Sequence, residues 1–196
     1  MMSSPIKILA FAGSARLESF NKKLVKIAAA GATGAGVEVT LIDLLDYPMP
    51  LFNEDLEAKD GLPESVLQFK ALLKSHQGFL ISCPEYNGSI TPLLKNAIDW
   101  ASRPEPKDTP MGLNCFKGKV AALLATSPGA LGGMRGLVHV RAILEGIGVL
   151  VIPEQKAIPR AYQAFDDQGN LVDEKQVDAV GAIATKLATV TAKLSP

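Results

Sequence analysis

Ile6-Lys7-Ile8-Leu9-Ala10-Phe11-Ala12-Gly13-Ser14-Ala15-Arg16, running on to Ser19-Phe20-Asn21, decides how this chain folds. Ile6 to Ala12 is nearly continuous apolar sequence, as a parallel strand covered on both faces requires. Small, hydroxyl and cationic residues then form a turn. From Asn21 a helical period sets Leu24, Val25 and Ala28 on one face, and Gly31, Gly34 and Gly36 end it. The same order of strand, turn and helix returns twice. Gly78 to Cys83 leads into Pro84-Glu85-Tyr86-Asn87-Gly88-Ser89, followed by Thr91 as N-cap, Pro92 at the first helical position, and a stripe of Leu94, Ala97, Ile98 and Ala101. Val120 to Thr126 leads into Ser127-Pro128-Gly129-Ala130-Leu131-Gly132-Gly133 and a helical face of Leu137, Val140, Leu144 and Ile147.

Val37 to Ile42 reads as the second strand and Val149 to Ile152 as the fifth. Tyr47 to Leu62 is a polar connection, long for a compact domain; Pro63 then opens a helix through Val66, Phe69 and Leu73 that ends near His76. Arg103 to Phe116 is a Pro- and Lys-bearing excursion, and Asp167-Gln168-Gly169-Asn170 a turn. The last helix starts near Asp173 with Gln176 in capping-box position, burying Val177, Val180, Ala184, Leu187 and Thr191. Five strands alternating with five helices predict an α/β fold in a single domain over 1–196. Its sheet is parallel and five-stranded, in the order 2-1-3-4-5, sandwiched between two helical layers. Right-handed crossovers then bring the loops after strands one, three and four to one edge, where strand order reverses and such sheets bind ligands.

Lys plus Arg and Asp plus Glu both number 20, so the formal charge is zero. Nucleic acid and anionic membrane surfaces, which need a basic excess, are therefore excluded as principal partners. No uncharged stretch reaches the roughly 18 residues of a membrane span, and Met1-Met2-Ser3-Ser4-Pro5 lacks a signal-peptide shape, so membrane insertion is not expected. Two cysteines, Cys83 and Cys115, are too few for a disulfide framework and fit a reducing cytoplasm.

In the first turn Ser14, Ser19 and Asn21 are neutral donors, Arg16 is a cationic fork, and a helix N-terminus follows. A phosphate dianion wants this mix: each hydrogen bond to a charged group is worth about 1.5–3 kcal/mol, and Arg grips two oxygens at once. Neither a Gly-Lys-Ser/Thr ending nor Gly-x-Gly-x-x-Gly is present. The plain alternative is a hydroxyl-rich turn that only caps a helix. In the second turn Tyr86 offers an aromatic edge, Asn87 and exposed N–H groups offer polar partners, and Gly88 permits close backbone approach. An isoalloxazine, with apolar faces and a polar rim, needs these features. For Glu85 the plain reading is a solvated charge or a structural ion pair. A phosphate-suited turn beside a ring-suited one indicates a mononucleotide cofactor.

These motifs together resemble the flavodoxin-like NAD(P)H-dependent FMN reductases, including the chromate/quinone reductase branch. The likeness lies in Gly13 to Asn21, in Pro84 to Ser89 continuing through Leu94-Lys95-Asn96-Ala97-Ile98-Asp99-Trp100, and in Ser127-Pro128-Gly129 with Gly132-Gly133. It implies a flavodoxin-like fold in which Ser14, Arg16, Ser19, Phe20 and Asn21 hold the FMN phosphate. Pro84, Glu85, Tyr86, Asn87, Gly88 and Ser89 would line the isoalloxazine, with Ser127 and Gly129 nearby and Arg135 at the substrate entrance. It further implies NADPH or NADH as co-substrate, a small-molecule electron acceptor such as a quinone, chromate, an azo compound or free flavin, and a homodimer or homotetramer. The nicotinamide would deliver hydride to the flavin, leave, and be replaced by the acceptor on the same open face, giving ping-pong kinetics with no protein acid or base assigned. Two positions depart from the family pattern: Glu18 adds an anion beside the proposed phosphate site, and Thr91-Pro92 replaces the usual Pro-Gly.

A flavodoxin-type one-electron carrier is the competing function. Such carriers present an acidic docking face, and this chain has no negative surplus. A phosphoacceptor domain would need acidic residues where Phe11-Ala12-Gly13 stands. His76 and His139 lie too far apart to indicate a metal. Cys83 and Trp100 are expected to pack, and Arg141 to be a solvated helix charge.

Overall fold

The computed structural model describes residues 5–105, 108 and 113–195; residues 1–4, 106, 107, 109–112 and 196 lie outside them, the middle six within the Arg103–Phe116 excursion. In chain order its elements are β1 (Lys7–Ala12), α1 (Phe20–Gly34), β2 (Glu38–Leu41), α2 (Glu54–Asp60), α3 (Glu64–Ser75) and β3 (Gly78–Ser82). There follow α4 (Pro92–Ala101), β4 (Val120–Thr126), α5 (Met134–Gly146), β5 (Leu150–Ile158), α6 (Ala161–Ala164) and α7 (Glu174–Leu194). The sheet runs β2-β1-β3-β4-β5 with every pairing parallel, the order the sequence predicts.

Strand side chains alternate between faces. Ile8, Ala10, Leu80, Ala122 and Leu124 meet Leu24, Val25 and Ala28 of α1 and Val180, Ala184 and Leu187 of α7. Leu9, Phe11, Phe79, Ile81 and Leu123 meet Phe69 and Leu73 of α3, Leu94 of α4, and Leu137, Val140 and Leu144 of α5. Each fully buried Leu, Ile, Val or Phe among these contributes about 1.5–3 kcal/mol of hydrophobic stabilisation, which is why the three central strands read as nearly unbroken apolar runs.

The polar connection from Tyr47 holds a helix the sequence reading lacks. In α2 the Asn53 side chain accepts the Asp55 N–H at 2.8 Å, and Glu54, Asp55 and Glu57 crowd the first turn. No residue of α2 is buried, so it has no apolar stripe to detect; Arg103 Nε holds it through Glu57 Oε2 at 2.7 Å. β5 also runs on past Ile152 to Ile158, with a register shift where Val151 pairs Ala121 and Gln155 pairs Leu123. An edge strand tolerates Pro153 and the polar residues after it by bulging. Arg141 is not a solvated charge: it donates to the Val151 and Ile152 carbonyls at 3.0 and 2.9 Å and to Gln155 Oε1 at 3.0 Å, satisfying the bulge.

Other side chains match or depart from the pattern. Asp173 caps α7 through Lys175 N–H at 3.0 Å, but Gln176 makes no reciprocal bond and its Oε1 stays unpartnered among the described residues. Val177 is exposed rather than buried, because it sits at the margin of the α7 stripe. Trp100 is fully buried, donating its indole N–H to the Pro50 carbonyl at 2.7 Å. His76 is buried too, bonded to the Leu72 carbonyl at 2.7 Å and Thr40 Oγ1 at 2.8 Å; burial lowers its pKa below the ordinary imidazole value. Burial likewise pushes the Cys83 thiol far above its usual range, making it inert packing.

Candidate cofactor site

At the carboxyl ends of β1, β3 and β4 the three turns converge on a cavity of about 110 Å³. Ser14, Arg16, Ser19, Phe20 and Asn21 line it from the first turn, Pro84, Glu85 and Tyr86 from the second, and Ser127 from the third. Asn87, Gly88, Ser89 and Gly129 lie in the same turns but do not wall it. Thr126 and Pro128 do, and the sequence reading lacks both. Their one sequence signal is adjacency to Ser127 at a strand end.

The first turn is built to present donors. Ser14 and Ser19 are buried polar residues; Ser19 occupies the N-cap of α1, yet its side chain caps no helix N–H. The first N–H groups of a helix have no partner within it, and here they face the cavity end. Ser14 Oγ accepts the Arg16 N–H at 3.3 Å, and the Arg16 guanidinium rests on the Glu18 carbonyl at 2.6 Å. The Glu18 carboxylate pairs with Lys23 at 3.3 Å, which offsets the anion that departs from the family pattern.

Asn21 has another duty. Its Oδ1 accepts Ser82 Oγ–H at 2.8 Å and Thr126 N–H at 3.1 Å, and its Nδ2 donates to the Thr126 carbonyl at 2.9 Å. The side chain ties α1 to β3 and β4, so its oxygen is fully engaged within the fold. Thr91 is a second tie: its hydroxyl donates to the Gly13 carbonyl at 2.7 Å and caps α4 by accepting Leu94 N–H at 3.2 Å. The Thr91-Pro92 departure thereby binds the first turn to the helix after the second.

The second turn is a two-residue hairpin. Tyr86 and Ser89 exchange both backbone hydrogen bonds, at 2.9 and 3.0 Å, around Asn87 and Gly88 with φ of 51° and 82°. Two successive left-handed residues are what a type I′ turn demands, and Asn-Gly supplies them at least strain. Tyr86 is left 54 % exposed at the rim. It also walls a neighbouring hollow of about 280 Å³, shared with Ser14, Arg16, Thr91 and Leu93. Glu85, which lines the cavity, also forms the structural ion pair: its carboxylate holds Arg135. Phe20 packs on Phe165 and Tyr162, with ring centres 5.4 and 5.2 Å apart.

The third turn is fixed by residues beyond β5. Arg160 N–H donates to the Gly129 carbonyl at 3.1 Å and Ala161 N–H to the Ser127 carbonyl at 3.0 Å. Gly132, at φ 63°, packs so closely that a Cβ would stand 2.6 Å from the Ile158 carbonyl carbon. Gly132→Ala is therefore expected to cost on the order of 2 kcal/mol or more, read from the urea midpoint. An unchanged midpoint would mean the turn sits elsewhere.

The residues present fit FMN. Buried hydroxyls, a guanidinium and helix N–H groups suit a dianion, and both nearby carboxylates, Glu18 and Glu85, are already paired. The small cavity suits the phosphate, and the hollow beside Tyr86 offers a ring somewhere to lie. A larger hollow of about 570 Å³ opens between α1 and the segment after β2, but none of the predicted site residues lines it and its Lys22 is paired with Asp43 at 2.5 Å. Among the described residues no helix is long and apolar enough to cross a membrane.

A parallel sheet with donor-rich turns at its switch point defines a mononucleotide-binding α/β protein, and the NADPH-dependent FMN reductase family model matches residues 6–163. The chain belongs to that family and is an oxidoreductase working with FMN and NAD(P)H. It is 38 % identical over 175 residues to an NAD(P)H-dependent FMN reductase of Pseudomonas aeruginosa, covering 89 % of each chain. To an NADPH:quinone oxidoreductase of Arabidopsis thaliana it is 34 % identical over 193 residues, covering 96 % of this chain and 93 % of that one. Among solved structures it resembles the flavoenzyme NAD(P)H:(acceptor) oxidoreductase FerB of Paracoccus denitrificans. That likeness has a TM-score of 0.80 and 30 % identity, over 96 % of this chain and 98 % of that one.

Proposed function

We propose that the chain is a single FMN-binding domain that reduces quinones with NAD(P)H, binding the FMN phosphate in the cavity between the three turns. The observation that carries this reading is the convergence of residues from all three turns on one donor-lined cavity at the strand-order reversal. Ser14, Ser19, Arg16 and the backbone N–H groups of Phe20 and Asn21 hold the phosphate. The Pro84–Ser89 hairpin flanks the ring, with Ser127 and Gly129 across from it. FMN, when bound, accepts electrons from reduced nicotinamide and passes them to the acceptor. The protein binds and orients both partners, and donors at the ring's rim favour the charge it gains on reduction. Chromate, azo compounds and free flavin are further acceptors that an open rim admits.

Met134 and Val138, one turn apart on α5 and both exposed, support self-association as a homodimer or homotetramer. Two buried free cysteines support a reducing, cytoplasmic setting. The test is NADPH and NADH oxidation by FMN-loaded protein with benzoquinone as acceptor. Parallel double-reciprocal lines are expected. Intersecting lines would overturn the shared face, and absent turnover would overturn the reductase in favour of a carrier.

A further inference from the structure

We propose that Glu85 is a positioning residue that locks the Pro84–Ser89 hairpin to α5, and through α5 to the third turn, fixing the width of the slot the flavin ring enters. This rests on the cofactor site proposed above. The start of α5 lacks a cap of its own, because its N-cap residue is Gly133. Glu85 supplies one from another element. Its Oε2 accepts the backbone N–H groups of Arg135 and Gly136 at 3.0 and 3.3 Å, while its Oε1 accepts Arg135 Nε and Nη2 at 2.8 and 2.5 Å.

The opposite leg of the hairpin is held as well, by His139 Nδ1 and Ser89 Oγ at 2.8 Å. Between the legs, Gly136 lets the hairpin rest on bare helix: a Cβ there would lie 3.2 Å from the Ser89 carbonyl oxygen and 3.4 Å from Glu85 Cβ. Both legs are thus fastened one helical turn apart, and the Tyr86 side chain is left half exposed at the rim. The Glu85 side chain is 8 % exposed and that of Arg135 62 %, so the carboxylate is the buried partner. Burial pushes the Glu85 carboxyl up, but the Arg135 guanidinium and the two N–H groups outweigh it and hold it below the usual carboxylate range. The clamp is therefore charged at neutral pH, and Glu85 neutralises the Arg135 guanidinium, which lies against the Gly88 end of the hairpin.

Two readouts separate positioning from general stability. In cofactor-free protein, Glu85→Ala is expected to speed hydrogen exchange at the Tyr86, Ser89, Arg135 and Gly136 amides about tenfold or more, with the sheet unaffected. In FMN-loaded protein, Glu85→Gln, which keeps an acceptor for the N–H groups, is expected to raise the flavin midpoint potential, because Arg135 loses its counter-ion beside a ring that gains negative charge. Arg135→Ala should lower it, and FMN affinity should fall about tenfold in Glu85→Ala and less in Glu85→Gln. If Glu85→Ala does not fold, the potential and exchange of Glu85→Gln decide. Unchanged exchange and unchanged potential would overturn the clamp. Failure of the unmodified protein to bind FMN would instead sink the site, and the cofactor-free exchange would still judge the clamp.

Discussion

Asn21→Ala is expected to lose on the order of 3–5 kcal/mol of stability. The wild-type amide satisfies three groups that water does not reach: the Ser82 hydroxyl and the Thr126 N–H and carbonyl. Leaving a buried donor or acceptor unpaired costs about 1–3 kcal/mol each. The better helix propensity of alanine returns only about 0.5 kcal/mol. Asn21→Asp discriminates further, since a carboxylate can accept from Ser82 and Thr126 N–H but faces the Thr126 carbonyl with no donor. Urea unfolding by circular dichroism gives both values. A loss within about 0.5 kcal/mol for Asn21→Ala would mean the tie does not hold the three elements together.

Arg16→Ala is expected to weaken FMN binding roughly ten- to a hundredfold while leaving stability nearly unchanged. The guanidinium is exposed and, among the described residues, bonded only to the Glu18 carbonyl, so the apo fold loses little without it. A phosphate arriving beside Ser14 and Ser19 would meet its fork and form charge-assisted bonds that neutral donors do not match. Arg16→Lys should recover part of the loss, since a point charge keeps the attraction without the two-toothed grip. Fluorescence titration of FMN measures all three proteins. Equal affinities would place the phosphate away from this turn, and with it the proposed orientation of the cofactor.

Much of this architecture is legible in the chain because burial on both faces leaves an unmistakable trace. The runs before Gly13, Pro84 and Ser127 are apolar wherever the sheet core encloses them, save for Ser82 and Thr126 near the strand ends, and the three turns that gather at the rim follow closely on them. What stays hidden are elements stabilised by something other than an apolar stripe. The helix α2 is held by its Asn53 cap and by Arg103, a partner distant in sequence. The extension of β5 through Pro153 and Glu154 is polar and is made regular by Arg141 on another helix. The same limit applies within the site. Asparagine at position 21 looks like a ligand donor from spacing alone, and only the tertiary neighbours Ser82 and Thr126 show where its amide is directed. Glu85 reads from sequence as a solvated charge or a structural ion pair, because its partner, fifty residues on, has no local signature.

The two margins of the sheet carry a last consequence. One margin is β2, four residues long; the other is interrupted at Pro153, with the Val151 and Ile152 carbonyls already occupied by Arg141. Neither offers a long, regular ladder on which a foreign strand could zip. Edge-to-edge pairing of copies is thereby disfavoured, and the sheet is guarded against fibrillar stacking by its own borders.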